Sequence, residues 1–467
     1  MRFSRVGLVV MGFCAGIQAK SDSALMSPPP HSQWGFAVAD AQTGTVLAEA
    51  GGDRFLTPAS TVKLLTTAFA IEQLGTTHVF PTVLYRTGRI KRGVLNGDLW
   101  IKGNGNPALG SDLADTSQRI AAVFGIFLHA LEQNGIRQVN GTIYGDGSRI
   151  KSRGPAMGAL WEDVGNYYGA WPSGLCFHDN AYTLSLGLRG TRLTALETNP
   201  RNTGIPHFQI DAHNSGPWNG DSCYILGAFW NSPRVVAGGC PILGKPLKIR
   251  GSLPDPAWTC AREFEDYLRD HGTPVKGYDS RRTEEPLPYS QTLPAGAVKL
   301  VEHLSPQVLD LVATLHKKSD NLYAAQLLNL SGGAGALQKW LQAQHRKAGD
   351  AVDLEDGNGL SLRNRITPVA MTQFLSNFSH KRWFAAWRTT LPDGATQLSR
   401  SRGNSLPKGK SWIKTGSMSG IAAMAGYAQT QSGRLITFSV IVNHFDESPS
   451  AVRSRWESLL HSWLQKY

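Results

Sequence analysis

Apolar and polar positions near the start of the chain follow two different periods. Residues 34–40 and 45–50 are apolar-rich runs separated by a short turn sequence, and together they predict a β-hairpin. Residues 64–74 instead place apolar side chains at helical spacing, which predicts a helix. We expect Thr57 to cap that helix and Pro58 to occupy its first position, because threonine accepts from free N–H groups and proline needs no hydrogen bond there.

The pattern changes twice further along the chain. Residues 81–289 form short strand-like runs broken by glycine, proline and Asn-Gly turns, which predicts a mostly β insertion made of two small domains. Residues 20–80 and 290–467 are then expected to form one discontinuous domain, in which helical spacing and longer apolar runs return. The expected helices span residues 258–271, 306–316, 322–328, 368–378 and 451–467, and the expected antiparallel strands span residues 411–414, 421–429 and 434–443.

The N-terminal segment has the composition of an export signal. A basic start, a short apolar run and the small residue Ala19 predict a signal peptide over residues 1–19. No later apolar stretch approaches the roughly 18 residues needed to span a bilayer. We therefore expect an exported protein of the periplasm or cell envelope that has no transmembrane segment.

The charge of the chain indicates which kinds of partner it attracts. The formal net charge is +12, which favours attraction to anionic polymers or lipids of the envelope and a peripheral association with them. The basic residues are scattered and have no interleaved aromatic motif or zinc finger beside them. A solvated cationic surface is therefore expected, and no nucleic-acid partner.

Four cysteines follow the predicted signal peptide, and an even number suits an oxidising compartment. Cys223 and Cys240 are favoured as a disulfide because both lie in glycine-, proline- and serine-rich sequence a short distance apart. Pairings that involve Cys176 or Cys260 remain open, because four cysteines allow three complete pairings. The chain contains neither Cys-x-x-Cys nor His-Glu-x-x-His, so no metal site or cofactor is expected.

Candidate chemistry begins at Ser60-Thr-Val-Lys63, at the start of the first predicted helix. Ser60 would meet free backbone N–H groups and the positive end of the helix dipole, which suit a developing oxyanion. Lys63 lies one helical turn later, within reach of the serine hydroxyl. A helix start with a solvated lysine explains the same residues, and Ser-x-x-Lys alone is common by chance, so the motif needs companions.

Two further motifs supply those companions. Ser319-Asp-Asn321 lies between helical segments, and Lys414-Thr-Gly-Ser417 is expected to close a strand. Taken separately, Ser319 could be a helix cap, Asn321 a turn residue and Lys414 an exposed lysine at a strand end. Ser-x-x-Lys, Ser-Asp-Asn and Lys-Thr-Gly in this chain order are typical of penicillin-binding proteins and class A β-lactamases.

The chain resembles the class C low-molecular-mass penicillin-binding proteins, a family of D-alanyl-D-alanine carboxypeptidases and endopeptidases, over nearly all of its length. This resemblance implies an α+β fold: a penicillin-binding transpeptidase-like domain, with an antiparallel sheet flanked by helices and a helical subdomain, that carries a large mostly β insertion. The long interval between Ser60 and Ser319 supports this family over class A β-lactamases. The family commonly has threonine where Ser417 stands and serine where Asn358 stands. The resembling segments, besides the three motifs, are Trp161 to Ala170 and Asp356 to Ser361.

The resemblance implies acyl transfer, in which Ser60 attacks a D-alanyl carbonyl and water later hydrolyses the ester. Lys63 is the candidate base, provided that burial or a neighbouring cation such as Lys414 lowers its pKa. Ser319 would relay a proton to the leaving group, and Asn321 would orient Lys63 and the substrate amide.

The same resemblance assigns substrate-binding groups. Backbone N–H groups of Ser60 and Ser417 would form the oxyanion hole. Lys414 and the strand segment Thr415, Gly416 and Ser417 would bind the terminal carboxylate of the stem peptide. A β-lactam mimics this acyl-D-alanyl end and is expected to acylate the same serine.

Two questions stay open at this level. The resemblance implies that Asp146 faces the active-site groove and binds a cationic amine of the stem peptide. A turn residue is the alternative, because turns favour aspartate as well. No segment resembles the Glu-x-x-Leu-Asn of class A β-lactamases, which favours a peptidase that β-lactams trap. The alternatives are a serine β-lactamase and a non-catalytic wall-binding or penicillin-sensing protein.

Overall fold

A computed structural model describes residues 28–151, 154–155, 158–216, 222–227, 232–242, 244–277, 292–398 and 406–467. The predicted signal peptide, residues 1–19, lies outside the described residues. Among the described residues, no helix combines the length and the apolar character that a bilayer crossing requires.

Strands occur throughout the chain. They are β1 (Gln33–Asp40), β2 (Val46–Ala50), β3 (Pro81–Arg86), β4 (Arg89–Lys91), β5 (Val94–Asn96), β6 (Leu99–Gly103), β7 (Gln138–Val139), β8 (Ile143–Asp146), β9 (Ala181–Arg189), β10 (Arg192–Asn199), β11 (Phe208–Ile210), β12 (His213–Asn214), β13 (Tyr224–Gly227), β14 (Arg234–Ala237), β15 (Gly239–Cys240), β16 (Leu247–Ser252), β17 (Val298–Leu304), β18 (Val352–Asp353), β19 (Arg365–Ile366), β20 (Ser411–Met418), β21 (Ile421–Gln429) and β22 (Leu435–Asn443).

Among the described residues, most helices follow the β-rich middle, while one precedes it and three lie within it. They are α1 (Lys63–Leu74), α2 (Ile120–Gln133), α3 (Trp161–Val164), α4 (Pro256–Asp270), α5 (Val308–Lys318), α6 (Asn321–Leu330), α7 (Ala334–Gln344), α8 (Arg346–Gly349), α9 (Pro368–Ser379), α10 (Phe384–Thr389), α11 (Gly394–Leu398) and α12 (Pro449–Lys466). Short 3₁₀ turns lie at Ala59–Val62, Thr116–Gln118, Tyr167–Gly169 and His178–Asn180.

A five-stranded antiparallel sheet joins the two ends of the chain, in the order β2-β1-β22-β21-β20. The predicted hairpin β1–β2 is confirmed, and its first strand pairs along its whole length with β22. Alternate residues of β21 and β22 pack on opposite faces of the sheet, as strand geometry requires. One face packs against α12 in a cluster with Phe36 and Trp463, and the other packs against α1, α5, α6 and α9 in a cluster with Leu65 and Phe374.

The entry to α1 differs from the prediction. Thr57 does not cap the helix. Its backbone N–H donates to Asn443 Oδ1 at 2.8 Å, and its carbonyl accepts from Asn443 Nδ2 at 3.1 Å. Ala59 has a φ of 46°, and a 3₁₀ turn over Ala59–Val62 precedes α1, which begins at Lys63. The contact with β22 thus precedes a tight turn whose backbone strain lies at Ala59, next to Ser60, because left-handed backbone is costly for any residue but glycine.

The third motif is also placed differently. Lys414, Thr415, Gly416 and Ser417 lie inside β20 rather than at its end, since that strand continues to Met418. Each of the four pairs with β21. Because β20 is the edge strand of the sheet, its other edge faces the Ser60 turn.

The inserted region contains two separate apolar clusters. The first lies between α2, α4 and the strands β3, β5, β6, β7 and β8 and includes Phe124 and Phe264. The second lies among β9, β13, β14 and β16 and includes Tyr182 and Val236. These clusters support the prediction of two small domains, which stays a prediction.

The boundary predicted at residues 289 and 290 cuts across a sheet. Strand β17 pairs with β3 in the four-stranded order β17-β3-β6-β8. The sheet of the first inserted cluster therefore takes in β17, and the position of the boundary stays a prediction.

The cysteine pairing follows the favoured pattern. Cys223 and Cys240 form a disulfide within the second inserted cluster. Cys176 and Cys260 are both buried as free thiols.

Candidate active site

The three sequence motifs meet at the end of the five-stranded sheet. The nucleophile candidate, Ser60, lies half-buried in the 3₁₀ turn before α1. Lys63 is fully buried at the first position of the helix. The 2.7 Å distance from Lys63 Nζ to Ser60 Oγ is that of a hydrogen bond.

Three groups surround the nitrogen of Lys63. Besides Ser60 Oγ, they are Asn321 Oδ1 at 2.7 Å and the carbonyl oxygen of Asn358 at 2.5 Å. A neutral amine has two N–H donors and one lone pair, whereas an ammonium has three donors. The three oxygens can accept from the three donors of an ammonium, in which case Nζ donates to Ser60 Oγ as well. In a neutral lysine the two oxygens that can only accept would take the two N–H groups, and the lone pair would face the hydroxyl of Ser60.

The pKa of Lys63 agrees with that arrangement. Burial lowers it to about 7, and the carboxylates of Asp356 and Asp320 offset part of the effect. Of the two causes expected from the sequence, burial and a neighbouring cation, burial is the main one. Near neutral pH a substantial fraction of Lys63 is thus deprotonated.

The carbonyl of Asn358 is positioned by a loop organised around Asp356. Its carboxylate accepts from the backbone N–H groups of Gly359 and Ser361 and from Asn364 Nδ2, at 2.7 to 2.8 Å. The loop is attached to α1 because Thr66 Oγ1 donates to the carbonyl of Gly357 at 2.8 Å. The second resembling segment of the sequence thus supplies one of the acceptors of Lys63.

The second and third motifs meet on the other side of the site. Ser319 ends α5 in the left-handed region, at a φ of 56°, and its Oγ accepts from Lys414 Nζ at 2.8 Å. Lys414 also donates to the carbonyl of Thr415 at 2.6 Å. Burial, reinforced by the charge of Lys63, lowers the pKa of Lys414 well below its usual value.

A buried histidine, His316, lies near Lys63 and Lys414. His316 contacts Thr67 Oγ1 at 3.0 Å through Nε2 and Thr390 Oγ1 at 2.8 Å through Nδ1. Burial and then the charge of Lys414 hold the pKa of His316 well below its usual value. The ring is therefore neutral and adds no positive charge to the site.

Two glycines pack against the backbone N–H of Ser60, at positions where any side chain would clash with it. A Cβ at Gly416 would lie 2.6 Å from Ser60 N, and a Cβ at Gly359 would lie 2.8 Å from it. Ser417 is exposed and Thr415 half-buried on the same strand. The open edge of β20 therefore lies directly beside the nucleophile, where an extended peptide could be held.

A cavity of about 170 Å³ adjoins Asn358. Its lining includes the carboxylates of Asp163 and Glu355, together with Ala170, Trp171, Leu328 and Leu360. Burial, reinforced by Glu162, raises the pKa of Asp163 above its usual value. The cavity offers acidic and apolar contacts beside the loop that carries Asn358.

Asp146 does not join the other predicted site residues, which corrects its candidate role. Its side chain is fully buried, and its oxygens accept from the backbone N–H groups of Ser148 at 2.9 Å and Leu293 at 3.0 Å. Lys102 Nζ lies 3.7 Å away. The carboxylate organises a turn, so it is not available to a substrate amine.

Sequence reasoning missed the roles of two backbone carbonyls. One belongs to Asn358, and the other belongs to Tyr168, which accepts from Asn321 Nδ2 at 2.9 Å. Both segments resemble the family, and that likeness is the signal that could have singled them out. A carbonyl oxygen is present at every position, so residue type could not have singled them out.

No cluster of three or more side chains suited to a metal occurs among the described residues.

Fold and site together fit the class of serine enzymes that the three motifs predict. A model of the D-Ala-D-Ala carboxypeptidase 3 (S13) family matches residues 17–463, so the chain belongs to that family. The resemblance to class C penicillin-binding proteins and the predicted α+β fold are thereby confirmed. The protein is a serine peptidase, a hydrolase of the D-alanyl-D-alanine carboxypeptidase type.

The chain is similar to three proteins or structures of particular interest. It is 29% identical to a D-alanyl-D-alanine carboxypeptidase of Actinomadura sp. (strain R39), over 90% of this chain and 79% of the relative. The structure of penicillin binding protein 4 from Haemophilus influenzae matches with a TM-score of 0.78 at 23% identity, over 96% of this chain and 100% of the other. A complex of that protein with a β-lactam matches with a TM-score of 0.72 at 21% identity, over the same shares of the two chains.

Proposed function

We propose that Ser60 carries the acyl group while this protein cleaves D-alanyl bonds in peptidoglycan stem peptides. The observation that supports this most directly is the environment of the buried Lys63: its Nζ lies 2.7 Å from Ser60 Oγ and also donates to Asn321 Oδ1 and to the carbonyl of Asn358. Burial lowers the pKa of Lys63 to about 7, so its neutral form is available near neutral pH to act as a base.

In the first step Lys63 takes the proton of Ser60 as Oγ forms a bond to the carbonyl carbon of the penultimate D-alanine. The backbone N–H groups of Ser60 and Ser417 would stabilise the negative oxygen of the tetrahedral intermediate, since donors aimed at a developing charge lower the barrier. The carbon–nitrogen bond then breaks, and the departing amine receives a proton through Ser319. An ester on Ser60 remains, which water hydrolyses.

The terminal carboxylate of the substrate would bind beside Lys414, Thr415 and Ser417. A carboxylate next to Lys414 favours its protonated form, because opposite charges stabilise each other in a buried site. Free D-alanine leaves in the carboxypeptidase reaction, and a cross-linked stem leaves in the endopeptidase reaction. The acidic cavity lined by Asp163 and Glu355 suits a cationic amine further along the stem.

The setting of the reaction is part of the proposal. The basic and apolar N-terminal sequence supports export, and the disulfide between Cys223 and Cys240 suits an oxidising compartment. The net charge of +12 favours contact with an anionic envelope. We infer that the mature protein acts in the periplasm or cell envelope, where β-lactams reach it.

Labelled penicillin tests the assignment of Ser60. We expect a long-lived adduct on the wild type, located at Ser60 by intact-mass and peptide analysis, and none on Ser60→Ala. Ser458→Ala, which changes a serine on the distant helix α12, is the matched control and should be labelled like the wild type. An undiminished adduct on Ser60→Ala contradicts the proposal, and rapid loss of the adduct from the wild type indicates a β-lactamase instead. Digestion of pentapeptides and of cross-linked muropeptides then separates carboxypeptidase from endopeptidase activity.

The acylation rate should depend on pH through Lys63. Because only the neutral amine accepts the serine proton, the rate is expected to rise with pH and to reach half its plateau near the pKa of Lys63, about 7. Below that midpoint it should fall about tenfold per pH unit. Single-turnover labelling from about pH 5 to pH 9 measures the profile. A plateau that persists to the acid end of this range would exclude Lys63 as the base.

A further inference from the structure

The amide of Asn321 is held at both ends by different groups. Its Oδ1 accepts from Lys63 Nζ at 2.7 Å, and its Nδ2 donates to the carbonyl of Tyr168 at 2.9 Å. Rotating the amide by half a turn would place N–H donors against Lys63 and one oxygen against another. The Tyr168 carbonyl therefore determines that Asn321 offers Lys63 an acceptor.

Tyr168 belongs to a segment with little regular structure, Trp161–Gly169, which we name the cleft wall. It contains only the four-residue helix α3 and the 3₁₀ turn Tyr167–Gly169. Isolated helices of this length are not stable in water, so contacts outside the segment must hold it.

Strands of the second inserted cluster provide those contacts. The backbone N–H of Ser252 donates to the carbonyl of Gly165 at 3.0 Å, and Ser252 Oγ donates to that of Val164 at 2.5 Å. The backbone N–H of Ile225 donates to Asn166 Oδ1 at 3.0 Å. A Cβ at Gly165 would lie 2.2 Å from the carbonyl oxygen of Ile225, so the wall and strand β13 approach as closely as glycine allows.

Arg250 on β16 supports the residue next to Tyr168. Its Cζ lies 4.8 Å from the centre of the Tyr167 ring, within the range of a cation–π contact. Its guanidinium is also 3.2 Å from Asp179 Oδ2. Arg250 therefore links the cleft wall to the turn His178–Asn180, whose three residues all have positive φ.

We propose that the second inserted cluster is a positioning element of the active site. Through β13 and β16 it fixes the cleft wall, the wall fixes the Tyr168 carbonyl, and that carbonyl fixes the amide of Asn321 against Lys63. Asn166 and Arg250 are the positioning residues, and neither touches the reacting atoms. The inference rests on the proposed role of Lys63 as the base and assigns a purpose to the insertion.

The test uses the full chain and four variants. Asn166→Ala removes the acceptor for Ile225, and Arg250→Ala removes the contact with Tyr167. Arg250→Lys keeps a cation at the same place and is the rescue variant. Lys248→Ala changes an exposed residue on the same strand and is the matched control. For each, single-turnover labelling with penicillin gives the limiting acylation rate constant and the apparent dissociation constant of the first complex.

We expect Asn166→Ala and Arg250→Ala to lower the acylation rate constant about tenfold while the dissociation constant changes less than about twofold, because orientation of the base acts on the chemical step. Arg250→Lys should recover most of the rate, and Lys248→Ala should equal the wild type.

Wild-type acylation rates in both alanine variants would overturn the inference. So would a smaller labelled fraction whose remaining molecules react at the normal rate, because that pattern shows a role in folding alone. A wild type that is not labelled at Ser60 at all would instead overturn the proposed function, and the inference with it.

Discussion

A Lys63→Met variant is expected to lose acylation by penicillin and by peptide substrates about a thousandfold or more. Methionine has a similar length but carries no base, and base catalysis by a positioned side chain typically contributes factors of this size. The carbonyl of Asn358 and Oδ1 of Asn321 also lose their donor, at a cost of about 1–3 kcal/mol for each buried acceptor. The acylation rate constant per folded molecule, together with the melting temperature, separates the two effects.

Lys318→Met is the matched control for this variant. Lys318 ends α5 one residue before Ser319, and its side chain is exposed. It should react like the wild type, since a solvated lysine on the surface of α5 does not contact Ser60. A Lys63→Met enzyme whose acylation rate stays within about tenfold of the wild type would contradict the assignment of Lys63 as the base.

Gly416→Ala is expected to reduce acylation about a hundredfold to a thousandfold. The new Cβ would lie 2.6 Å from Ser60 N and 3.1 Å from the carbonyl oxygen of Pro58, so either strand β20 or the strained turn must move. Both neighbours are backbone atoms and cannot rotate away as a flexible side chain could. The movement disturbs the N–H of Ser60, and loss of one oxyanion-hole donor has an effect of this size.

Gly335→Ala is the matched control for Gly416→Ala. Gly335 lies in α7, where an added Cβ would meet no atom within 4 Å. Alanine should raise stability there by about 0.5 kcal/mol, because it restricts the unfolded chain, and should leave acylation unchanged. Thermal unfolding and penicillin labelling of both variants check the contrast. Wild-type acylation in a folded Gly416→Ala enzyme would exclude the close approach of β20 to Ser60 as a requirement for activity.

Burial explains how the pKa of Lys63 can lie near neutral pH without a nearby cation as the main cause. Lys63 and Lys414 are both buried, and burial is the largest cause of the lowered pKa of each. The buried carboxyl group of Asp320 responds in the opposite direction, since burial and Asp179 raise its pKa to about 6. Low-dielectric surroundings thus shift acids and bases of the same site toward their neutral forms.

Local sequence was sufficient for the elements whose pattern is regular. Helix α9 was expected over residues 368–378 and spans Pro368–Ser379, where Thr367 accepts from the N–H of Ala370. Strand β21 was expected over residues 421–429 and has those bounds. These elements have strong periodicity and end signals, so neighbouring residues alone determine them.

Long-range packing decided the places where the prediction was wrong or had been left open. The start of α1 moved because Asn443, at the end of the last strand, binds the backbone of Thr57 across a sequence separation of 386 residues. Asp146 was left open as a groove residue, but the folded chain buries it against Leu293. Neither contact has a local signal, because the partner residues are ordinary in their own sequence surroundings.

The sequence by itself determined which side chains are the candidates for the chemistry: three motifs in order, with a serine, two lysines and an asparagine of the types that acyl transfer needs. The tertiary structure decided how these side chains meet. Lys63 meets Asn321 and the carbonyl of Asn358 across separations of 258 and 295 residues. The identity of each side chain can be read from the sequence at that position. The placement of a backbone carbonyl, and the burial that shifts the pKa of a lysine, arise only when distant segments pack together.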